Sequence, residues 1–138
     1  MNADRFAQAA ATKTDQQRMD EISHLVNGCA FTVSNTLGTG FLEKVYENAL
    51  AYEIRLAGLR VEQQKSVAVK YREIEVGSYL ADLVVEDVLL VELKVAKALD
   101  EAHVAQCLNY LKATGLSVCL LLNFGKSKVE IKRLVSHF

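Results

Sequence analysis

Proline is missing from the 138-residue chain altogether. Glycine must therefore mark most breaks between elements, and seven glycines are available to do so. Cysteine is scarce: Cys29, Cys107 and Cys119 stand far apart, odd in number and with no CxxC spacing. This argues against a disulfide frame or a zinc knuckle and predicts buried free thiols in a reducing, cytoplasmic setting. Long apolar runs are lacking too. The longest, Val118 to Leu122, is far short of a membrane span, so no membrane partner is expected. The N-terminus carries Asp4 and Arg5 and no long apolar stretch, so a secretory signal is not expected. Nor does charge of one sign dominate, since 16 Lys and Arg oppose 17 Asp and Glu. That excludes a generally basic nucleic-acid coat and leaves room for a local basic patch.

What remains is a globular composition, 51% hydrophobic and 24% charged, with mean hydropathy +0.11. It excludes a disordered chain and a collagen-like fibre, and the length suits one domain with its own core. Residues 1–15 are small and polar and are read as a flexible N-terminal arm; 16–138 are read as a single domain. Ile22, Leu25, Val26, Cys29, Ala30 and Val33 recur at helical steps, ending before the breaker Gly38-Thr39-Gly40. A second helix is predicted from about Phe41 to Ala57, with Gly58 as its cap. Strand-like alternation follows in Val61–Gln64, then Val67–Tyr71, Tyr79–Val85 and Leu89–Val95. Helical spacing returns over 101–114 and stops at Gly115. Val118–Leu122 and Val129–Val135 close the chain as strands. The predicted order, α-α-β-β-β-β-α-β-β, favours an α/β sheet with helices packed against it.

The most informative stretch runs from Tyr79 to Lys94. It is strongly apolar yet holds Asp82, Glu92 and Lys94, groups that are costly to bury unless paired or metal-bound. Strand periodicity puts Glu92 and Lys94 on one face. If the turn centres on Asp87, Asp82 stands opposite Glu92 on that same face; a shift of one residue would separate them. Two adjacent carboxylates repel unless a cation joins them, and an oxygen-only set with open positions suits Mg²⁺ or Mn²⁺. Such an ion can activate a water and neutralise a phosphate, while a nearby Lys stabilises developing charge. Spacing alone favours an ordinary strand ion pair of Glu92 with Lys94, with Asp82 a strand-end residue, since acid-x-Lys is common. On the following helix Gln106 and Tyr110 form an i, i+4 pair that could hold a water or a phosphate oxygen, or simply face solvent; His103 is not counted as catalytic. Glu43 lies in the first turn of the second helix, where it either favours the helix dipole or points to the sheet. Lys94, Lys97, Lys112, Lys126, Lys128, Lys132 and Arg133 suggest a basic rim for a phosphate backbone, or a solvated edge.

Together these residues resemble the GxxExxY proteins, a bacterial branch of the PD-(D/E)XK nuclease-like superfamily. Gly40-x-x-Glu43-x-x-Tyr46 matches the branch signature. Asp82 followed by Glu92-Leu93-Lys94 is similar to the superfamily core, and Gln106-x-x-x-Tyr110 to a motif on the helix after it. Leu122-Asn123-Phe124-Gly125 and Ile131-Lys132-Arg133 also resemble the branch, so the likeness spans about residues 22–135. Ala81 stands where the superfamily name has proline, at a position that varies widely. The resemblance implies a restriction-endonuclease-like central mixed β-sheet flanked by α-helices. It implies that Asp82 and Glu92, with the Leu93 carbonyl, bind Mg²⁺ or Mn²⁺ and that Lys94 positions the attacking water. Glu43 would complete the site, and Gln106 and Tyr110 would support it. The expectation is a divalent-metal-dependent hydrolase acting on nucleic acid, with DNA the expected substrate and a homodimer compatible with duplex cleavage. The alternative is a non-catalytic nucleic-acid- or protein-binding module that retains the fold.

Overall fold

The computed structural model describes residues 14–136. The expected N-terminal arm lies outside the described residues but for its last two, Thr14 and Asp15. Helix α1 (Asp15–Leu37) begins earlier than its apolar periodicity. Its start is set by polar chemistry: the Gln17 N–H donates to Thr14 Oγ1 (3.0 Å) and the Thr14 N–H donates to Gln17 Oε1 (2.9 Å), a reciprocal cap. Helix α2 (Glu43–Leu56) starts two residues later than periodicity suggests. Strand β1 (Val61–Tyr71), β2 (Ile74–Val85) and β3 (Leu89–Lys94) follow, then α3 (Glu101–Thr114), β4 (Val118–Asn123) and β5 (Glu130–Val135).

Three strands, not four, precede α3. Val61–Gln64 and Val67–Tyr71 belong to one long β1, whose alternation is broken because Gln64 takes a positive φ of 52°. The sheet order is β1-β2-β3-β4-β5. Only β3 and β4 run parallel, as befits strands joined by a crossover helix. Among the described residues the result is a mixed five-stranded sheet with three helices against it, the α/β architecture expected.

Both faces of β3 and β4 are covered, which explains their nearly unbroken apolar sequences. One face packs on α1 and α2 through Val26, Val33, Leu50, Ile54, Val91 and Leu120. The other packs on α3 through Leu90, Cys107, Leu111, Cys119 and Leu121. Each such aliphatic side chain contributes about 1.5–3 kcal/mol of burial. All three cysteines are free and buried. Among the described residues no helix is long and apolar enough to cross a membrane.

Candidate active site

The β2–β3 register decides whether a site exists. Leu83 faces Val91, Val84 faces Leu90 and Val85 faces Leu89, which centres the loop on Asp87. The loop is held by Glu86, whose carboxylate accepts the Arg60 N–H (2.6 Å) and Arg18 Nη2 (2.9 Å). These bonds keep the Glu86 carboxyl below its ordinary range and hold Glu86 and Asp87 at positive φ. The backbone pairing ends at Leu83 and Val91, and side chains take over. The Asp82 N–H donates to Glu92 Oε2 (2.8 Å), and the Leu93 N–H donates to Asp82 Oδ2 (2.9 Å). Each acid thus holds the backbone of the opposite strand.

Glu92 is 4% exposed and Asp82 is half-buried. Burial, then the charge of Asp82, pushes the Glu92 carboxyl up to about 8. Burial also raises Asp82, against the opposing effect of the Leu93 N–H. Lys94 lies near enough to favour both carboxylates, yet its Nζ donates to Gln106 Oε1 (3.0 Å). The pair is therefore incompletely neutralised by the protein itself.

Helix α2 supplies acids from the other side. Glu43 lies in its first turn with its side chain largely exposed; partial burial and then the charge of Asp82 raise its carboxyl, against the opposing effect of Lys94. Glu47, one turn on and 3% exposed, is not singled out by the sequence pattern. It accepts Lys44 Nζ (2.8 Å), Gln63 Nε2 (2.7 Å) and Gln64 Nε2 (2.6 Å). Gln64 Nε2 also reaches Asp82 Oδ1 (3.3 Å), so Glu47 and Gln64, at its positive φ, brace that acid. The only sequence signal is Glu47's place four residues after Glu43.

Gln106 and Tyr110 both border the site from α3. The Tyr110 ring stacks on Tyr79, 3.6 Å between centroids, and burial followed by Glu92 raises its phenol. His103 does not join them. Its Nδ1 accepts the Asp100 N–H (3.2 Å) and it completes the N-terminal cap of α3. Lys132 and Arg133 do not share one rim. Successive residues of β5 point to opposite faces, so Arg133 pairs with Asp20 of α1 (3.0 Å) while Lys132 lies beside α3.

Tyr46 of the Gly-x-x-Glu-x-x-Tyr stretch is fully buried. Its hydroxyl donates to the Gly38 carbonyl (2.7 Å) and accepts the Phe41 N–H (3.3 Å). It thereby ties down the Gly38–Leu42 loop, where Gly40 has a φ of 105°. Tyr46→Phe is expected to lower stability by about 1 kcal/mol, seen in denaturant unfolding, because the Gly38 carbonyl loses its donor. The Tyr46 ring also stacks on Phe124, 4.9 Å away, and the Phe124 N–H donates to the Lys94 carbonyl (2.9 Å). The two motifs are thus one scaffold that fixes the backbone of Lys94.

The donors available for a cation are hard oxygens. Among the described residues no group of three or more His, Cys, Asp or Glu side chains comes together to hold a metal. Two carboxylates suffice for Mg²⁺, which keeps several waters and takes further ligands from a substrate phosphate. The residues present therefore fit a small divalent ion. Comparison with curated proteins and with solved structures returns no match. The family model of the PD-(D/E)XK nuclease superfamily, whose members generally use divalent metals on nucleic acid, matches residues 20–134. With this match spanning most of its length, the chain belongs to the PD-(D/E)XK nuclease superfamily.

Proposed function

We propose that the protein hydrolyses phosphodiester bonds in nucleic acid, DNA first, with Mg²⁺ or Mn²⁺ held by Asp82, Glu92 and the Leu93 carbonyl. The observation that carries this reading is the facing pair of acids at the end of the β2–β3 ladder, both raised above their ordinary range. One oxygen of each is committed to a backbone N–H; a cation would meet Glu92 at its other oxygen and Asp82 at Oδ1, which it would share with Gln64 Nε2 (3.3 Å). When bound there, the ion supplies a Lewis-acid charge that neutralises the phosphate and acidifies water. Lys94, held by Gln106, sets an ammonium beside the pair, where it favours negative charge developing on the phosphate. Glu47 and Gln64 position Asp82, and Glu43 stands across the site to orient water.

A second reading, a binding module without catalysis, is favoured by the net charge of −1, which gives no general pull on a polyanion. Thermal unfolding against Mn²⁺ concentration separates the two. The wild type should be stabilised by about 2.7 kcal/mol when the ion reaches a hundred times its Kd. Asp82→Asn and Glu92→Gln should stay folded and show no response; amides are used because alanine would orphan the Asp82 and Leu93 N–H groups. A wild type unmoved by Mn²⁺, with an oligonucleotide present and uncleaved, would sink the nuclease reading and leave the binding module.

A further inference from the structure

The distal half of β1 and the outer face of α3 enclose a cleft of about 670 Å³. Ala68, Val69 and Lys70 line one side; Asn109, Tyr110 and Lys112 line the other. Tyr110 borders both the cleft and the candidate active site, so the two adjoin. From Gln106, which holds Lys94, to Lys112 is six residues of α3, or about 9 Å along the helix. The lining carries two lysines and no acid; Glu75, opposite Lys70 in the strand register, is outside it. Both lysines are exposed, while Val69 and Ala113 add apolar surface between them.

This is a basic groove with an aromatic lip and an apolar floor, the combination that holds a single polynucleotide strand. Its volume is in the range of small-ligand pockets and leaves no space for a duplex inside it. Phosphates have Lys70 and Lys112 to meet. A sugar or base edge has Val69 and Ala113 to lie on. The Tyr79–Tyr110 stack marks the end nearest the acids and keeps the ring of Tyr110 fixed there.

We infer that the cleft between β1 and α3 carries a single strand of the substrate away from the scissile phosphate, its backbone held by Lys70 and Lys112. The inference rests on the nuclease reading and names the form of its substrate. Fluorescence anisotropy with a labelled single-stranded deoxyoligonucleotide and with the matching duplex tests it, with Ca²⁺ replacing Mn²⁺. The wild type should bind the single strand tighter than the duplex. In the Lys70→Glu, Lys112→Glu double variant, single-strand affinity should fall by at least about tenfold at low salt. The slope of log affinity against log salt should shrink by about 0.7 for each lysine. The variant's Mn²⁺-dependent thermal shift should equal the wild type's, because neither lysine touches Asp82 or Glu92. Unchanged single-strand affinity and slope, or tighter binding of the duplex, would overturn the inference while the Mn²⁺ shift stands. A wild type that binds no polynucleotide and shows no Mn²⁺ shift would overturn the nuclease reading and this inference with it.

Discussion

Glu92→Gln should melt higher than the wild type at pH 8 without metal, and should lack the proposed phosphodiester cleavage. The Glu92 carboxyl sits at about 8 in the folded protein, against an ordinary value of 4.5. Between these values the unfolded chain has released the proton and the folded chain still holds it. Unfolding then releases a proton, so stability falls as pH rises from about 4.5 to about 8 and levels off above that. Below 4.5 both states are protonated and the residue contributes nothing to the slope. Asp82, also raised, adds to the loss in the same direction. Each unit of difference is worth about 1.4 kcal/mol, so the total is on the order of a few kcal/mol. Glutamine keeps an oxygen for the Asp82 N–H and removes the buried charge. Its melting temperature should therefore vary much less between about pH 5 and about pH 9 in the presence of a chelator. Activity should move the other way, by more than about 100-fold, since even residues behind the metal ligands commonly cost 10–100-fold. Parallel melting profiles for the two proteins would contradict the buried carboxyl; an active Glu92→Gln would contradict its role.

Gly125→Ala is the second change with a large expected effect, and it lies outside the acid pair. A Cβ built at Gly125 would collide with the Ala96 backbone, within 2.6 Å of its nitrogen and 2.9 Å of its carbonyl carbon, and nearer still to its oxygen. No flexible side chain is there to yield. The same place is clamped by Asn123, fully buried, whose Oδ1 accepts both the Ala96 N–H (2.9 Å) and the Gly125 N–H (2.9 Å) while Nδ2 donates to the Ala96 carbonyl (3.0 Å). Admitting a methyl group means moving residues 95–96 and loosening that clamp. Overpacking costs about 1–3 kcal/mol and each hydrogen bond lost about 1 more. The expected fall in the thermal midpoint is roughly 10 °C. The control is Gly28→Ala on α1, where a Cβ meets nothing within 4 Å. There the helix should gain about 0.5–1 kcal/mol. Because Phe124 ties the Lys94 carbonyl to this clamp, Gly125→Ala should also weaken the Mn²⁺ response. Equal midpoints for the two alanine variants would show that the turn can yield.

Much of this architecture is legible in residue patterns, and the failures have physical causes. Apolar periodicity marks the buried faces of the helices, and Gly115 marks the end of α3, where its φ of 75° needs glycine. The pairing of Asp82 with Glu92 follows from a turn centred on Asp87. Periodicity is silent where polar bonds define structure. The first turns of α1 are organised by Thr14 and Gln17, and β1 reads as two pieces because Gln64 leaves the strand conformation to reach Glu47 and Asp82. Glu47 escapes notice for a related reason. A buried acid is visible only through its partners, and these come from Lys44 nearby and from Gln63 and Gln64 on another element. The lysines mislead differently: a cluster in sequence on a strand is divided between two faces in space.

The crossed bonds at the fork of β2 and β3 also bear on how the chain can change over generations. Asp82 and Glu92 each hold a backbone N–H of the other strand, so an alanine at either position injures the sheet as well as the chemistry. Asparagine and glutamine keep an oxygen for those same amides. A lineage that drops the proposed phosphodiester cleavage but keeps the fold should therefore replace the acids by asparagine or glutamine first. A relative carrying Asp82→Asn or Glu92→Gln should be well folded and without the proposed cleavage.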